Sequence, residues 1–582
     1  MSDVGTDRRT FIKALGATAV AGTAAVAIGT MADPASAATD ISGKKSGTQT
    51  FSDDMVVPAG TTLSFDPDKD TTLKFAGDLT VRGTLRMKPA SRGIKHEIRF
   101  TNGGTLWVLG AGKLDLKGTS RAPWNRTGTS NTWASDDILK VTPVAKGDYT
   151  IRNFDKGGNV PSTTTARGTY KAEVFNLTRN VVIRGTSSQP MEQIHVMSSS
   201  PQKIKYALVR YAGITTEVGK YPIHFHFCHG GSRGSILQGV VVRDSNHHGF
   251  AIHGSHGVTL KSCIAYDVVG DAFWWDLPPE DDATDEVNDT NDIVIDRCLA
   301  VEVRTSDALA TTPRELTGFL LGGGSGNVIR NSVASATRFG ANSSGFHWPS
   351  QANGVPNVWV FEDCRAHNNE TNGIFVWQNT ATTPHFVDNF VAFHNGQSGI
   401  DHGAYNTKGY HYRNSKSINN GVDGLTQHAQ CTQPENRLND ERLSFEKVVF
   451  SGSPAITLTV HSLPCSLATL YYQCTFDGAI EVDDLGLERG WYDFVDSGVE
   501  PSDFDIVTFH PDSLIRVQRS DGSAFKMTSA GGVEEISAFW DGWKTLGSDN
   551  GNGGGGGGGS GGGGAPPPGT ENPDWEPGCG NE

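Results

Sequence analysis

The sequence predicts an all-β chain folded as a parallel β-helix, and three observations carry that expectation. Apolar residues alternate in short runs and do not recur at helical spacing. A series of imperfect repeats keeps a glycine and a small residue at fixed places. Finally, 71 glycines stand against 36% hydrophobic residues in a chain of 582, a composition of many turns and short strands.

In chain order, Arg8, Arg9, Thr10, Phe11, Ile12 and Lys13 precede an Ala/Val/Gly-rich run and the small-residue site Ala35-Ser36-Ala37. This pattern is that of a twin-arginine export signal over residues 1–37, cleaved near Ala37. The mature protein is then expected to be secreted or held at the cell surface, without stable membrane insertion. Residues 1–37 carry three basic and three acidic side chains, so cleavage leaves the net charge at -15. Such a surface argues against a nucleic-acid partner. An acidic polysaccharide remains compatible with it where a cleft differs from the whole.

From Phe51 to Phe100 the pairs Leu63/Phe65, Leu73/Phe75, Leu79/Val81 and Leu85/Met87 alternate between turns, as in β-strands. A first β unit is placed over residues 45–170. Residues 171–545 then form the β-helix, with repeats at Val240 to Ile252, Cys263 to Trp275, Cys364 to Val376, Phe390 to His402 and Ser415 to Gln427. Gly249, Gly373, Gly399 and Gly424 mark one position, and Val242, Ala265, Ala300, Ala334, Ala366, Ala392 and Ser417 form a column of small residues suited to a narrow interior. The period of about 23 to 35 residues suits a β-helix with unequal loops. Asp244 and Asp267 occupy a turn position held elsewhere by Asn368 and Asn419 and are read as turn formers. Cys228, Cys263, Cys298 and Cys364 recur at repeat positions and should pack as small apolar residues, while Cys465 and Cys474 are close enough in sequence to pair. Residues 546–582 are a Gly/Pro-rich disordered tail. A monomer is expected.

Side chains alternate along a strand, so the second and fourth residues after each marker glycine point outward. Those pairs include His224 with His226, Ala251 with His253, Trp274 with Asp276, His347 with Pro349, Phe375 with Trp377, and Asp401 with Gly403. Coils stack about 4.8 Å apart, which puts His226, His253 and Asp276 in one column with His224 beside it. Three imidazoles and a carboxylate suit a divalent metal: zinc or manganese, or calcium if acidic oxygens join them. The alternative is that these histidines bind substrate carboxylates or one another and hold no ion. Trp274, Phe375 and Trp377 read as stacking platforms for sugar rings, with His347 and Asp401 further along the substrate face. Glycosidic hydrolysis needs two carboxyl groups about 5 to 9.5 Å apart. Asp401, four coils from Asp276, is too far to be its partner. Asp271, Glu280, Asp281 and Asp282 are nearer.

Several segments, in order, resemble one family. Val57-Pro58-Ala59-Gly60 with its strands looks like a G8 domain. Ala172-Glu173-Val174, Leu177 to Gly185, Tyr221 to His226 and Phe273-Trp274-Trp275-Asp276 resemble successive motifs of the cell-migration-inducing hyaluronan-degrading proteins, their transmembrane cell-surface hyaluronidase relatives and fibrocystin. The resemblance implies a G8-like cap over residues 45–170, a right-handed β-helix, and hyaluronan as the substrate of the best-known members. The chain departs from the pattern after Asp276, where Leu277-Pro278-Pro279-Glu280 follows.

The expected function is therefore an exported, hyaluronidase-like glycoside hydrolase. Asp276, His253 and Glu280 are the expected catalytic residues, and His224, His226, His253 and Asp276 the expected metal set. A uronate lyase and a non-catalytic glycan-binding or adhesion protein are the alternatives.

Overall fold

A computed structural model describes residues 38–542 apart from 218, 276–289, 306–315, 339–342, 349–356, 377–383, 403–409, 430–442, 461–468, 484–490, 510, 512 and 528–531. The expected export signal, the tail, Asp276, Glu280, Trp377 and Cys465 lie outside these residues. Among the described residues the regular elements are β-strands and two short 3-10 turns, and no helix is long and apolar enough to cross a membrane.

Three long sheets run side by side along the chain, with 16 strands in sheet A, 18 in sheet B and 14 in sheet C. Along the coils each successive strand of a sheet pairs in parallel with the one before it, as Ile223–His229 does with Phe250–Ser255, and sheet B ends in the antiparallel strands Ala524–Met527 and Val533–Ile536. The fold is an all-β parallel β-helix, as the repeats predict. Coiling begins earlier than the expected boundary at 171, because Thr39–Asp40, Met55–Val57, Leu79–Val81 and Thr105–Gly110 are already strands of sheet A. The segment from Trp124 to Lys171 departs from the coils into antiparallel strands, and Val174–Asn176 pairs with that excursion. It packs on the outer face of sheet C through Trp124, Phe175 and Leu177 against Val182, Leu208, Val241 and Ile264.

The interior is built from columns of like side chains. Phe250, Phe273, Phe319 and Phe346 stack along sheet A with ring centroids 4.8, 4.6 and 5.0 Å apart, the spacing that parallel strands impose. Tyr412, Phe445, Tyr471 and Phe494 do the same on sheet B at 4.9, 5.1 and 4.7 Å. The small column and the marker glycines form a single device. A Cβ on Gly373 would stand 2.9 Å from the Cβ of Ala392, and one on Gly399 only 1.8 Å from the Ser417 Oγ. The two walls meet there, and neither can carry a larger side chain.

The corners are equally regular. Tyr206, Gly239, Ser262, Arg297, Asn331, Asp363, Asn389 and Asn414 all have φ between 50° and 60°. Each such residue offers its N–H to the next coil, as Ser262 does to the Asp296 carbonyl at 2.8 Å, which offsets the cost of the left-handed conformation. Asp244, Asp267, Asn368 and Asn419 make a second left-handed column at 50°, 53°, 53° and 49°, in keeping with their reading as turn formers. Beside it Asn369, Asn395 and Asn420 form a buried amide ladder with links of 2.9 and 3.0 Å. Cys228, Cys263, Cys298, Cys364 and Cys474 are buried free thiols.

Candidate functional site

The outward face of sheet A follows the expected register. Trp107 lies beside His195, His195 beside His224, and His224 beside Ala251, which neighbours Trp274. Further along, Leu320 precedes His347, then Phe375, Asp401 and Thr426. His226 pairs with His253 in the second outward column.

These pairings assemble a histidine cluster. The rings of His195, His224 and His226 are 4.8 to 5.1 Å apart, and one nitrogen from each lies within 4.8 Å of the others. His224 Nδ1 is 3.0 Å from the Gly219 carbonyl and 3.3 Å from Gln193 Oε1, while its Nε2 faces His226 Nδ1 at 3.2 Å. Burial, with the neighbouring imidazoles adding to it, depresses both pKa values: His195 falls to about 3 and His224 goes well below the histidine range. Both rings are therefore neutral, with lone pairs available as ligands and little tendency to take a proton.

His253 stacks on His226 at 5.1 Å but is 6.3 Å from His224 by ring centroid. Of the expected metal set, His224 and His226 lie together, and Asp276 is outside the described residues. Among the described residues, His195 completes the triangle with His224 and His226, and His253 stands at its side. The signal for His195 was available, because Gln193-Ile194-His195-Val196 repeats the alternation of Pro222-Ile223-His224-Phe225 within the usual repeat spacing. The strand Ile223–His229 also bulges between His226 and His229, with Phe227 at φ 45° and His229 at φ 47°. That bulge lays the Phe227 ring against both His226, at 4.2 Å, and His253, at 4.3 Å.

One coil on, Trp274 lies flat on His248 with centroids 4.7 Å apart and planes 4° from parallel. Tyr221 joins the two clusters, its ring 4.9 Å from His224 and 5.0 Å from Trp274. Asp271 is buried; its carboxylate approaches His248 Nδ1 at 3.2 Å and accepts the Thr317 N–H at 2.7 Å, while His248 Nδ1 accepts the Asp271 N–H at 2.8 Å. Those contacts tie Asp271 to His248 and to the neighbouring strand.

Trp274 is half-buried. Phe375 and His347 do not fit the expected platform: they are 3% and 2% exposed, with their rings 5.1 Å apart. Both point out of sheet A, but they contact one another rather than solvent. Asp401 is half-buried and accepts the Asn372 side-chain N–H at 3.1 Å. Two to four coils separate this group from Trp274, so the structure does not bring it to the histidines.

Residues 193–383, which contain this site, match the family described as CEMIP beta-helix. The chain is 23% identical over 266 residues to the cell surface hyaluronidase CEMIP2 of Homo sapiens, a match covering 37% of this chain and 19% of that protein. It is 32% identical over 123 residues to a G8 domain-containing protein of Dictyostelium discoideum, covering 20% of this chain and 8% of the other. In both cases the chain spans less than a fifth of the relative's length. Among solved structures the periplasmic alginate epimerase AlgG aligns over 76% of this chain and 77% of its own at 9% identity, with a TM-score of 0.30, a likeness too loose to bear on function.

Proposed function

We propose that this chain is an exported polysaccharide-degrading enzyme, a hyaluronidase-like glycoside hydrolase that takes an acidic glycan along the outer face of sheet A. The observation that supports this most is the joining, through Tyr221, of the histidine cluster to the Trp274–His248 stack on one outward face. An aromatic surface that seats a sugar ring then adjoins groups able to move protons. The hyaluronidase among the relatives adds weight, since the family match covers the same coils.

In this reading Trp274 positions the sugar. Asp276 acts as general acid, with His253 orienting it. Glu280 supplies the second carboxyl group that hydrolysis requires. Trp377 and Asp401 extend the binding face. The neutral imidazoles support one other reading, a uronate lyase, in which a base removes the proton beside the uronate carboxylate.

Incubation of the mature protein with hyaluronan, chondroitin and pectin distinguishes these, with chain length and ultraviolet absorbance followed together. Hydrolysis shortens the polymer without creating an absorbing unsaturated end, and elimination creates one. Binding with no change in length would replace both readings by an adhesion protein.

A further inference from the structure

We infer that His195, His224 and His226 form a three-histidine centre for a divalent transition metal of the zinc class. This goes beyond the glycan reading and does not rest on it. Two neighbouring strands of sheet A supply the ligands, His195 from Gln193–Ser198 and the others from Ile223–His229. The parallel pairing of His195 with His224 fixes their separation. His195 is 3% exposed, and among the described residues neither of its ring nitrogens has a hydrogen-bond partner. A buried imidazole left in that state costs free energy unless something else binds it. His224, 2% exposed, directs Nδ1 to the Gly219 carbonyl and so turns the Nε2 lone pair into the triangle, the arrangement by which an outer carbonyl orients a metal-bound histidine.

In a tetrahedral site two nitrogens on one zinc ion stand about 3.4 Å apart, given bonds of about 2.1 Å. The present outer limit of 4.8 Å therefore closes through ring rotations that bring the nitrogens about 1.4 Å nearer. An all-imidazole set selects zinc, copper or nickel over calcium and magnesium, which require oxygen. His226 is half-buried, so the fourth position opens at its side of the triangle, as in sites where a metal keeps a water.

The test is metal binding by the mature protein after chelator treatment, with zinc and then cobalt added back. One zinc per chain by elemental analysis, a cobalt absorption band of low-coordinate nitrogen ligation and a rise in melting temperature with zinc but not calcium are expected. His195→Gln and the half-buried His226→Ala should each weaken zinc binding at least tenfold, while His229→Ala, an exposed histidine outside the triangle, should leave it unchanged. Absence of stoichiometric zinc in the wild type, or equal binding by a folded His226→Ala protein, would overturn the inference. If His195→Gln fails to fold, His226→Ala alone decides it.

Discussion

Single charged side chains in this fold have strongly directional effects on stability. Glu97 is buried on the outer face of sheet C among Lys95, Arg99 and Arg184. Burial works against its charge, but the three cations outweigh it and hold its carboxyl at about 2, against an ordinary 4.5. Between those values the unfolded chain binds the proton more readily than the folded one. The contribution of Glu97 is therefore whole above about pH 4.5 and is lost as pH falls through about 2. Glu97→Gln should flatten that part of the acid limb in melting curves taken across this range, and an acid limb identical to wild type would refute the assignment. At the same scale His224, His226 and His253 were legible because the marker glycine fixes which residues face outward. His195 is harder to read: its coil has the same alternation but carries one histidine where Tyr221 to His226 carries two. That neither ring nitrogen of His195 has a partner among the described residues is a matter of three-dimensional packing that no spacing reveals.

Between elements, the decisive contact is the docking of the antiparallel excursion on sheet C. Glu173 is fully buried where the two meet, 2.8 Å from His367 Nε2, 2.8 Å from Arg126 and 3.4 Å from Arg365, and Thr142 Oγ1 donates to it at 2.9 Å. Burial raises its pKa, but His367, Arg126 and Arg365 together carry it well below the usual carboxylate range. Removing one member of such a group strands the others. Glu173→Gln should cost about 3 kcal/mol, read as a lower denaturation midpoint with faster proteolysis between residues 118 and 180. An unchanged midpoint would show that the excursion is held by its apolar contacts alone. The Ala172-Glu173-Val174 string was recognisable in the sequence as a family landmark, yet its task of docking was not, because its sheet C partners Arg365 and His367 lie almost 200 residues away. The marker glycines and small column, by contrast, were readable in advance: the narrow interior repeats the same steric demand at every coil. The bulge at Phe227 interrupts that repetition and left no comparable pattern.

At the scale of the whole molecule, the coils form a stack in which each contacts chiefly its neighbours, and the outer face of sheet A is a continuous ladder from Trp107 to Thr426. The division expected near residue 171 reflects a change in how visible the repeats are; the sheets themselves run through it. The short early coils have the same pairing but lack the marker glycine that makes later ones easy to align. This geometry suits a linear polymer laid along the stack, with proton transfer confined to the histidine-bearing coils and the sugar seated on Trp274. The most direct test is the chain length of hyaluronan after exposure to wild type, His226→Ala and Asp276→Ala at equal concentration, with the melting temperature of each taken in parallel. The account predicts that the wild type shortens the polymer and that both variants lose nearly all of this activity while melting within a few degrees of it. Undiminished shortening by either variant, or none by a folded wild type, would contradict it.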